Sequence, residues 1–285
     1  MWMFQAAHDP IRALAYSPDG QLLAAGSDGG QLIVVKRGSS QQILSFHLED
    51  SIRGLAFHPR GDRLAVAVWN GTVWECTIRS RQKRAVLDGL PGGSWGVVYN
   101  FAGEIYGTSG DGCLHRSQLR KNQTVIHRLH QRPILGLALS ADGRHLSTAS
   151  LDRSLMVWDA FWFTREQMFL HQDWVCSAAF MPDGQHLVST EADGTLVVSS
   201  LLKALPPVRW NPGSPMPQVR AIPQRGTFLS AGRDGTVREW DLATQQEMSA
   251  LFWSEGRLLS LEVAPDGMTA AVGCESGKVV VWDLD

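Results

Sequence analysis

An internal repeat of about 41 residues is the feature that most constrains the fold of this 285-residue chain. A glycine closes a turn every 40 to 42 residues, often within a sequence such as SPDG (17–20) or MPDG (181–184). The recurring glycines are Gly20, Gly61, Gly103, Gly143, Gly184, Gly226 and Gly267. Seven repeats of this length predict an array of equal structural units.

Each repeat predicts four short β-strands. A second turn, such as WNGT (69–72) or RDGT (233–236), follows each recurring glycine, and Gly and Asp supply the positive φ that tight hairpins need. The apolar runs between turns, such as RLAVAV (63–68), are too short for helices and have strand composition. A more variable fourth strand, such as QILSF (42–46), completes the unit. Four strands in each of seven units predict an all-β, seven-bladed β-propeller with antiparallel blades.

The two ends of the chain predict how the ring closes. The seventh unit ends on its third strand, VVVWD (279–283), and an extra strand, WMFQ (2–5), precedes the first unit. The N-terminal strand can complete blade 7, which latches the ring and removes an exposed edge. We therefore expect a single domain over residues 1–285, either standing alone or cut from a longer protein.

Composition narrows the classes of function. The formal net charge of −2 argues against a dominant nucleic-acid footprint. No apolar run approaches the roughly 20 residues of a membrane span, and MWMFQAAHDP (1–10) is not a signal peptide. The widely spaced cysteines favour reduced, mostly buried thiols in a cytoplasmic protein, with no metal and no cofactor. These cysteines are Cys76, Cys113, Cys176 and Cys274.

The sequence resembles the WD-repeat (WD40) β-propeller family over its whole length. The resemblance rests on the SPDG-like turns, on histidines before the first strands (His8, His47, His130 and His171) and on Trp-Asp pairs (158–159, 240–241 and 282–283). The family's usual glycine before the histidine is missing in every unit, and Cys76, Ser117 and Ser199 hold the Trp position of units 2, 3 and 5. The resemblance implies a non-enzymatic scaffold, sensor or adaptor that binds a protein or peptide on one loop face.

The resemblance also implies a hydrogen-bonded chain of His, Ser or Thr, Asp and Trp inside a blade. Unit 4 has the complete set, and units 5 and 6 have partial sets. The members are His130, Thr148, Asp152 and Trp158 in unit 4, His171, Ser189 and Asp193 in unit 5, and Ser230, Asp234 and Trp240 in unit 6. A catalytic triad would occur once, whereas this set recurs in degraded copies, so we interpret it as structural.

Other candidate sites have a structural alternative. His127 and His130 form an H-x-x-H pattern, but on a strand and its following loop they point to opposite faces, which disfavours a metal site. The aromatic residues of AFWFTREQMF (160–169) either pack between blades or form a contact surface. The proline-rich LPPVRWNPGSPMPQVR (205–220) is either a rigid connection or a binding lip.

The function has two alternatives, a protein-binding face and a central channel that binds a small molecule or catalyses a reaction. The inner strands are mostly apolar, with Glu262 as their acid, which favours the binding face. In the family, the exposed positions near the channel mouth are two at the start of each first strand and one before the turn Asp. Here these positions include an apolar arc from blades 2 to 5 (Trp69, Trp95, Leu135, Leu151 and Trp174) and an arginine arc (Arg12, Arg53, Arg233 and Arg257).

Aromatic and Arg side chains dominate binding hot spots, and an exposed apolar patch usually marks a contact site. We therefore expect the two arcs to bind a protein or peptide that has apolar anchors and acidic or phosphorylated residues. A membrane is not an expected partner, and nucleic acid is not favoured. The alternative is that some of the Trp side chains cover the channel mouth as a lid on the core.

Overall fold

Seven four-stranded antiparallel sheets form a ring in the computed structural model, which describes residues 1–118, 123–202 and 206–284. The strands of the described residues are β1 (Trp2–Gln5), β2 (Ile11–Tyr16), β3 (Leu22–Ser27), β4 (Gln31–Lys36), β5 (Gln42–His47), β6 (Ile52–Phe57), β7 (Arg63–Val68), β8 (Val73–Thr77), β9 (Gln82–Leu87), β10 (Ser94–Tyr99), β11 (Ile105–Ser109), β12 (Cys113–Gln118), β13 (Gln123–Arg128), β14 (Ile134–Leu139), β15 (His145–Ser150), β16 (Ser154–Asp159), β17 (Arg165–Leu170), β18 (Val175–Phe180), β19 (His186–Glu191), β20 (Leu196–Ser200), β21 (Val208–Trp210), β22 (Gln218–Ala221), β23 (Thr227–Ala231), β24 (Thr236–Asp241), β25 (Glu247–Phe252), β26 (Leu258–Val263), β27 (Thr269–Cys274) and β28 (Lys278–Asp283).

Each blade is a meander whose first strand lines the ring and whose fourth strand lies at the rim. Blades 1 to 6 take their strands in chain order, beginning with β2–β5 in blade 1 and ending with β22–β25 in blade 6. The inner strands contact one another around the ring, and β2 contacts β26 of blade 7. The predicted seven-bladed propeller is therefore confirmed.

Blade 7 contains both ends of the described chain. Its sheet order is β1-β28-β27-β26, and β1 pairs antiparallel with β28 so that Trp2 faces Val281 and Phe4 faces Val279. Phe4 is buried in the core shared by blades 7 and 1. This pairing confirms that the N-terminal strand completes blade 7, as predicted.

The hydrophobic core lies between the blades. One cluster joins Leu32 and Val34 of β4 to Leu64 and Val66 of β7, and all four side chains are fully buried. The second strands β3 and β7 are therefore covered on both faces, whereas the fourth strands lie further apart at the rim, where β13 and β17 alternate between exposed and half-buried residues. This wedge shape leaves two loop faces and an outer rim for contacts with other molecules.

Most inner strands begin with a break in register that turns one side chain toward the channel. In blade 1 the pairing with β3 shifts between Ile11 and Ala13, and in blade 2 the pairing with β7 shifts between Ile52 and Gly54. Blades 3, 4, 5 and 7 have the same shift near the start of the inner strand. A bulge inserts an extra residue and re-aims its side chain, which explains how Arg12 and Arg53 reach the channel mouth.

The aromatic segment after β16 is half-buried at Phe163 and exposed at Phe161 and Trp162. Phe163 packs between blades, stacked on His127 at 4.2 Å between ring centroids and edge-on to Tyr106 at 5.4 Å. Phe161 and Trp162 are 63% and 74% exposed. They lie on the face opposite the channel mouth, because the connection between the third and fourth strands emerges there.

The proline-rich segment from 205 to 220 supplies part of blade 5 and the entry into blade 6. Leu205 lies outside the described residues. Residues 208–210 form the short strand β21, and Trp210 packs against Trp240 of blade 6 with 5.9 Å between ring centroids. Met216 is buried, and the carbonyl of Pro215 accepts a hydrogen bond from the backbone N–H of Arg233.

Candidate binding face at the channel mouth

The central channel has a volume of about 320 Å³ and two unlike sides. Inner strands of blades 2 to 5 contribute a mainly apolar side, which includes Leu55, Val97, Leu137, Leu139 and Phe180. Inner strands of blades 6, 7, 1 and 2 contribute a polar side, which includes Arg12, Arg53, Gln218, Arg220 and Glu262. The mouth face, defined here as the face with the loops that enter the inner strands, holds the residues of both predicted arcs.

Three residues of the two predicted arcs form one cluster at the mouth. The rings of Trp69 and Trp95 meet edge to face with centroids 4.5 Å apart. The Arg53 guanidinium lies over Trp69 at 4.7 Å and over Trp95 at 5.9 Å. The Trp95 indole N–H donates to the carbonyl of Gly92 at 3.2 Å. The arcs therefore meet in a cation–π arrangement that fixes both indoles.

A carboxylate that sequence reasoning did not single out holds the arginines. Asp28, in the turn after β3, accepts hydrogen bonds from Arg12 at 3.0 and 2.7 Å and from the Ser51 hydroxyl at 2.6 Å. Arg53 lies 3.7 Å from the same carboxylate. Burial alone would raise the pKa of Asp28, but these hydrogen bonds and the two positive charges lower it. Arg12 and Arg53 thus share one negative charge.

The other face residues lie further round the mouth and do not join the Trp69 cluster. Trp174 is 45% exposed, and the Cys176 thiol lies 3.9 Å from its carbonyl. Arg233 has no ion pair or side-chain hydrogen bond with the described residues, and its positive charge acts on Cys176. Arg257 lies 3.8 Å from Glu275. The arginine arc therefore includes one guanidinium, that of Arg233, available to an anion.

Leu135 and Leu151 occupy the blade 4 sector of the mouth. Leu135 lines the channel and is half-buried. Leu151 is half-buried in the turn between β15 and β16, beside Gln131 and Arg132. Of the predicted lid residues, Trp95 is half-buried at the channel, whereas Trp69 and Trp174 expose 37% and 45% of their surface.

The channel contains an ion pair of which the sequence analysis named only the acid. Glu262 was the expected acid of the inner strands, and it accepts a hydrogen bond at 3.1 Å from Arg220. Arg220 also donates to the carbonyl of Val219 at 2.8 Å and reaches the Ser177 hydroxyl at 3.5 Å. The guanidinium thereby connects the inner strands of blades 5, 6 and 7. Arg220 could have been found from the sequence, because it lies two residues after Gln218 in the inner strand β22 and alternate residues of a strand share a face.

Blade 4 assembles the polar chain that the family resemblance implies. The Trp158 indole N–H donates to the Thr148 hydroxyl at 2.9 Å, and this hydroxyl lies 2.6 Å from Nε2 of His130. Nδ1 of His130 lies 2.9 Å from the Asp152 carboxylate. Burial alone would raise the pKa of Asp152, but hydrogen bonds from His130, from Ser154 and from the backbone hold it well below its usual range.

Blade 5 pairs its histidine with a different acid from the one expected. Nδ1 of His171 lies 2.8 Å from Glu191, which also receives two hydrogen bonds of 2.7 Å from Arg209. Asp193 instead accepts the backbone N–H and the hydroxyl of Thr195. The Ser189 hydroxyl donates to a backbone carbonyl at 3.5 Å. The expected set of His171, Ser189 and Asp193 is therefore not joined, because Glu191 bonds the imidazole and Asp193 bonds Thr195.

Blade 6 keeps one link of the expected set. The Trp240 indole N–H donates to the Ser230 hydroxyl at 2.8 Å. Asp234 pairs with Arg238 at 2.7 Å and accepts a hydrogen bond from Ser214, which stands where blade 4 has its histidine. Without an imidazole between them, the carboxylate and the hydroxyl of blade 6 belong to separate pairs.

The four cysteines are free thiols. Cys76, Cys113 and Cys274 are buried, and Cys176 is half-buried at the channel. Burial raises the pKa of Cys76 and of Cys274 to about 12 and that of Cys176 to about 11. Thiols with such pKa values are weak nucleophiles near neutral pH.

Comparison with known proteins identifies the family. The family model described as WD domain, G-beta repeat, matches residues 121–159, 164–198 and 209–241. The model described as anaphase-promoting complex subunit 4 WD40 domain matches residues 14–89. The chain belongs to the WD-repeat β-propeller family. Families of WD-repeat propellers are generally non-catalytic scaffolds, and they bind proteins.

Two relatives of this WD-repeat propeller differ in how much of their length the chain covers. Telomerase protein component 1 of Mus musculus is 29% identical over 277 residues, which cover 85% of this chain and 9% of that protein. Guanine nucleotide-binding protein subunit beta-1 of Caenorhabditis briggsae is 27% identical over 171 residues, which cover 55% of this chain and 47% of that protein. The chain thus spans a small part of the first relative and about half of the second.

The described residues lack two further features. Among residues 1–118, 123–202 and 206–284, no group of three or more His, Cys, Asp or Glu side chains is placed to hold a metal ion. In the same ranges no helix is long and apolar enough to cross a bilayer.

Proposed function

We propose that this WD-repeat propeller is a non-enzymatic interaction module that binds a protein or peptide segment on its mouth face. The observation that carries the proposal is the cluster of Trp69, Trp95 and Arg53. Indoles held by an edge-to-face contact and a guanidinium lose little side-chain entropy when a partner docks. Trp and Arg are also the residue types that dominate binding hot spots.

The charges around the mouth support a partner segment with an anionic group. Arg12 and Arg53 share Asp28, so two guanidinium groups lie beside one carboxylate at that position. Arg233 adds a guanidinium without an ion pair among the described residues, on the same face as the exposed Trp174. A carboxylate or phosphate on Arg233, with an apolar side chain on Trp174, would satisfy both groups.

The channel chemistry favours binding over catalysis. Glu262 is engaged by Arg220, and a carboxylate paired in this way is a poor general base. The raised pKa of Cys176 argues against a nucleophilic thiol at the mouth. We therefore propose that the mouth face, and not the channel, carries the function.

A peptide array tests the proposal. The probes are peptides with fixed apolar residues and variable acidic, phosphorylated, neutral or basic positions, and fluorescence polarisation measures the affinity of the retained sequences. We expect acidic or phosphorylated peptides to bind, and Trp69→Ala combined with Trp174→Ala to abolish binding. Arg233→Glu combined with Arg257→Glu should weaken binding, and the parent's affinity should fall as salt rises.

The control is Phe161→Ala combined with Trp162→Ala, which removes two exposed aromatic residues from the opposite face. This control should bind like the parent. Equal binding by the parent and the Trp69/Trp174 variant would place the binding site elsewhere. The proline-rich segment of residues 205–220 would then be tested next.

A further inference from the structure

The outer strand of blade 6 is exposed along its whole length. All six residues of β25 are exposed, whereas every other outer strand includes half-buried or buried positions. The neighbouring outer strands explain the difference, because β21 of blade 5 has three residues and β1 of blade 7 has four in the described part of the chain. The rim of blade 6 therefore stands between two shorter rims.

This exposed strand is largely apolar and has neither Lys nor Pro along its edge. Met248, Leu251 and Phe252 are 60%, 43% and 67% exposed. Natural sheet edges are commonly blunted by Lys, Pro or short length, and β9 of blade 2 carries Lys83 and Arg84 in this way. In β25 the sole charged residue is Glu247, at its first position.

The hydrogen bonding of the blade shows which backbone groups face the open edge. The N–H of Trp253 donates to the carbonyl of Gly235 at 3.1 Å, so the groups of Trp253 face inward. Backbone groups of successive residues in a strand point to opposite sides. Those of Leu251 and Ser249 therefore face β24, and those of Phe252 and Ala250 face solvent.

We propose that two copies of this chain associate by antiparallel pairing of β25 with β25 across a two-fold axis at Ala250. In this register the two Ala250 residues exchange backbone hydrogen bonds, and Phe252 lies across from the partner's Met248. The small side chain of Ala250 allows the strands to approach at the axis. The two Glu247 carboxylates lie at opposite ends of the contact and do not repel each other.

The self-complementary pattern of β25 favours a second copy over an unrelated strand. The residues on the face with Ala250 are Met248 and Phe252, and the two-fold operation brings each of them against the other. A bulge in the pairing with β24 at Met248 limits the flat part of the edge. The contact is therefore much smaller than the roughly 20 residues a side of a standard interface, and the dimer dissociates on dilution.

Sedimentation velocity over a concentration series tests this dimer with the full chain. The parent should shift from monomer to dimer as concentration rises. Ala250→Lys places two like charges at the axis and should raise the dimer dissociation constant about tenfold or more. Ala85→Lys, at an exposed alanine of outer strand β9, is the matched control and should behave as the parent does. A parent that stays monomeric, or an Ala250→Lys variant that associates like the parent, overturns the proposal.

Disulfide trapping gives a second readout that does not depend on the charge variant. Facing residues of a hydrogen-bonded antiparallel pair have Cα atoms about 5.5 Å apart, within reach of a disulfide. Ala250→Cys should therefore yield a covalent dimer on mild oxidation, whereas Ser249→Cys, with its side chain on the other face, should not. Equal trapping of both variants, or none for Ala250→Cys, overturns the proposal. The mouth face is not involved, so either result leaves the proposed function untouched.

Discussion

Single side chains in blade 4 show why a set that looks catalytic is structural. The His130 side chain is fully buried, and both of its ring nitrogens have partners, Thr148 on one side and Asp152 on the other. Thr148 also accepts the indole N–H of Trp158. A triad nucleophile needs a hydroxyl open to substrate, whereas this hydroxyl is buried and doubly engaged. The chain of bonds instead ties the loop before β14 to strands β15 and β16.

Replacing the carboxylate of this chain should destabilise the fold. Asp152→Ala removes the carboxylate that bonds Nδ1 of the buried His130 and leaves the Ser154 hydroxyl as its partner there, and we expect a loss of about 1–3 kcal/mol in the free energy of unfolding. Asp193→Ala is the matched control, because Asp193 holds the same repeat position but its carboxylate bonds, among the described residues, only to Thr195 of its own turn. Denaturant unfolding measures both. The interpretation fails if Asp152→Ala costs no more than Asp193→Ala.

The lowered pKa of Asp152 predicts how its contribution varies with pH. An unfolded Asp titrates near pH 4 (about 3.9), whereas the folded carboxyl titrates well below that. The carboxylate therefore stabilises the fold fully above about pH 4, and this stabilisation is lost as the pH falls through the folded pKa. The difference in melting temperature between the parent and Asp152→Asn should shrink progressively in acid. A difference that stays constant down to the acid limit of folding would contradict this assignment.

At the scale of strands, the sequence predicted positions well and partners less well. The repeated turns and short apolar runs placed the blades, because strand length and hairpin chemistry are local properties. The partner of His171 could not be found in this way, since Glu191 and Asp193 are two residues apart and the repeat pattern does not say which carboxylate meets the imidazole. That choice depends on side-chain length and on Arg209 from the rim strand β21.

The register breaks of the inner strands also could not be predicted from the repeat. The exposed positions near the mouth could be predicted from the repeat, but their contacts could not. Arg53 lies over Trp69 and Trp95 because the bulge at the start of β6 turns it toward the channel. The two predicted arcs therefore meet in space, and Arg53, which we expected to bind an anion, becomes part of the aromatic cluster.

At the scale of the whole molecule, the stability of the ring depends on one blade that is made from both ends of the chain. The N-terminal amine lies 3.2 Å from the Asp283 carboxylate, and β1 pairs with β28 over its full length. A ring closed in this way opens only when strand pairing inside a sheet breaks. A ring closed between two complete blades would open by separating packed side chains alone, which involves no backbone hydrogen bonds.

Circular permutation tests this latch with the composition of the protein nearly unchanged. A short glycine–serine linker can join residue 285 to residue 1, because Met1 lies beside Asp283. One permutant opens between β8 and β9, at Ser80, so that blade 2 is shared by the new ends as blade 7 is now. The other opens between β9 and β10, at Gly89, so that every blade is continuous. Both sites lie in exposed connections. We expect the first permutant to melt close to the parent and the second several degrees lower, as measured by calorimetry. Equal melting temperatures would show that packing between blades closes the ring without help from the shared sheet.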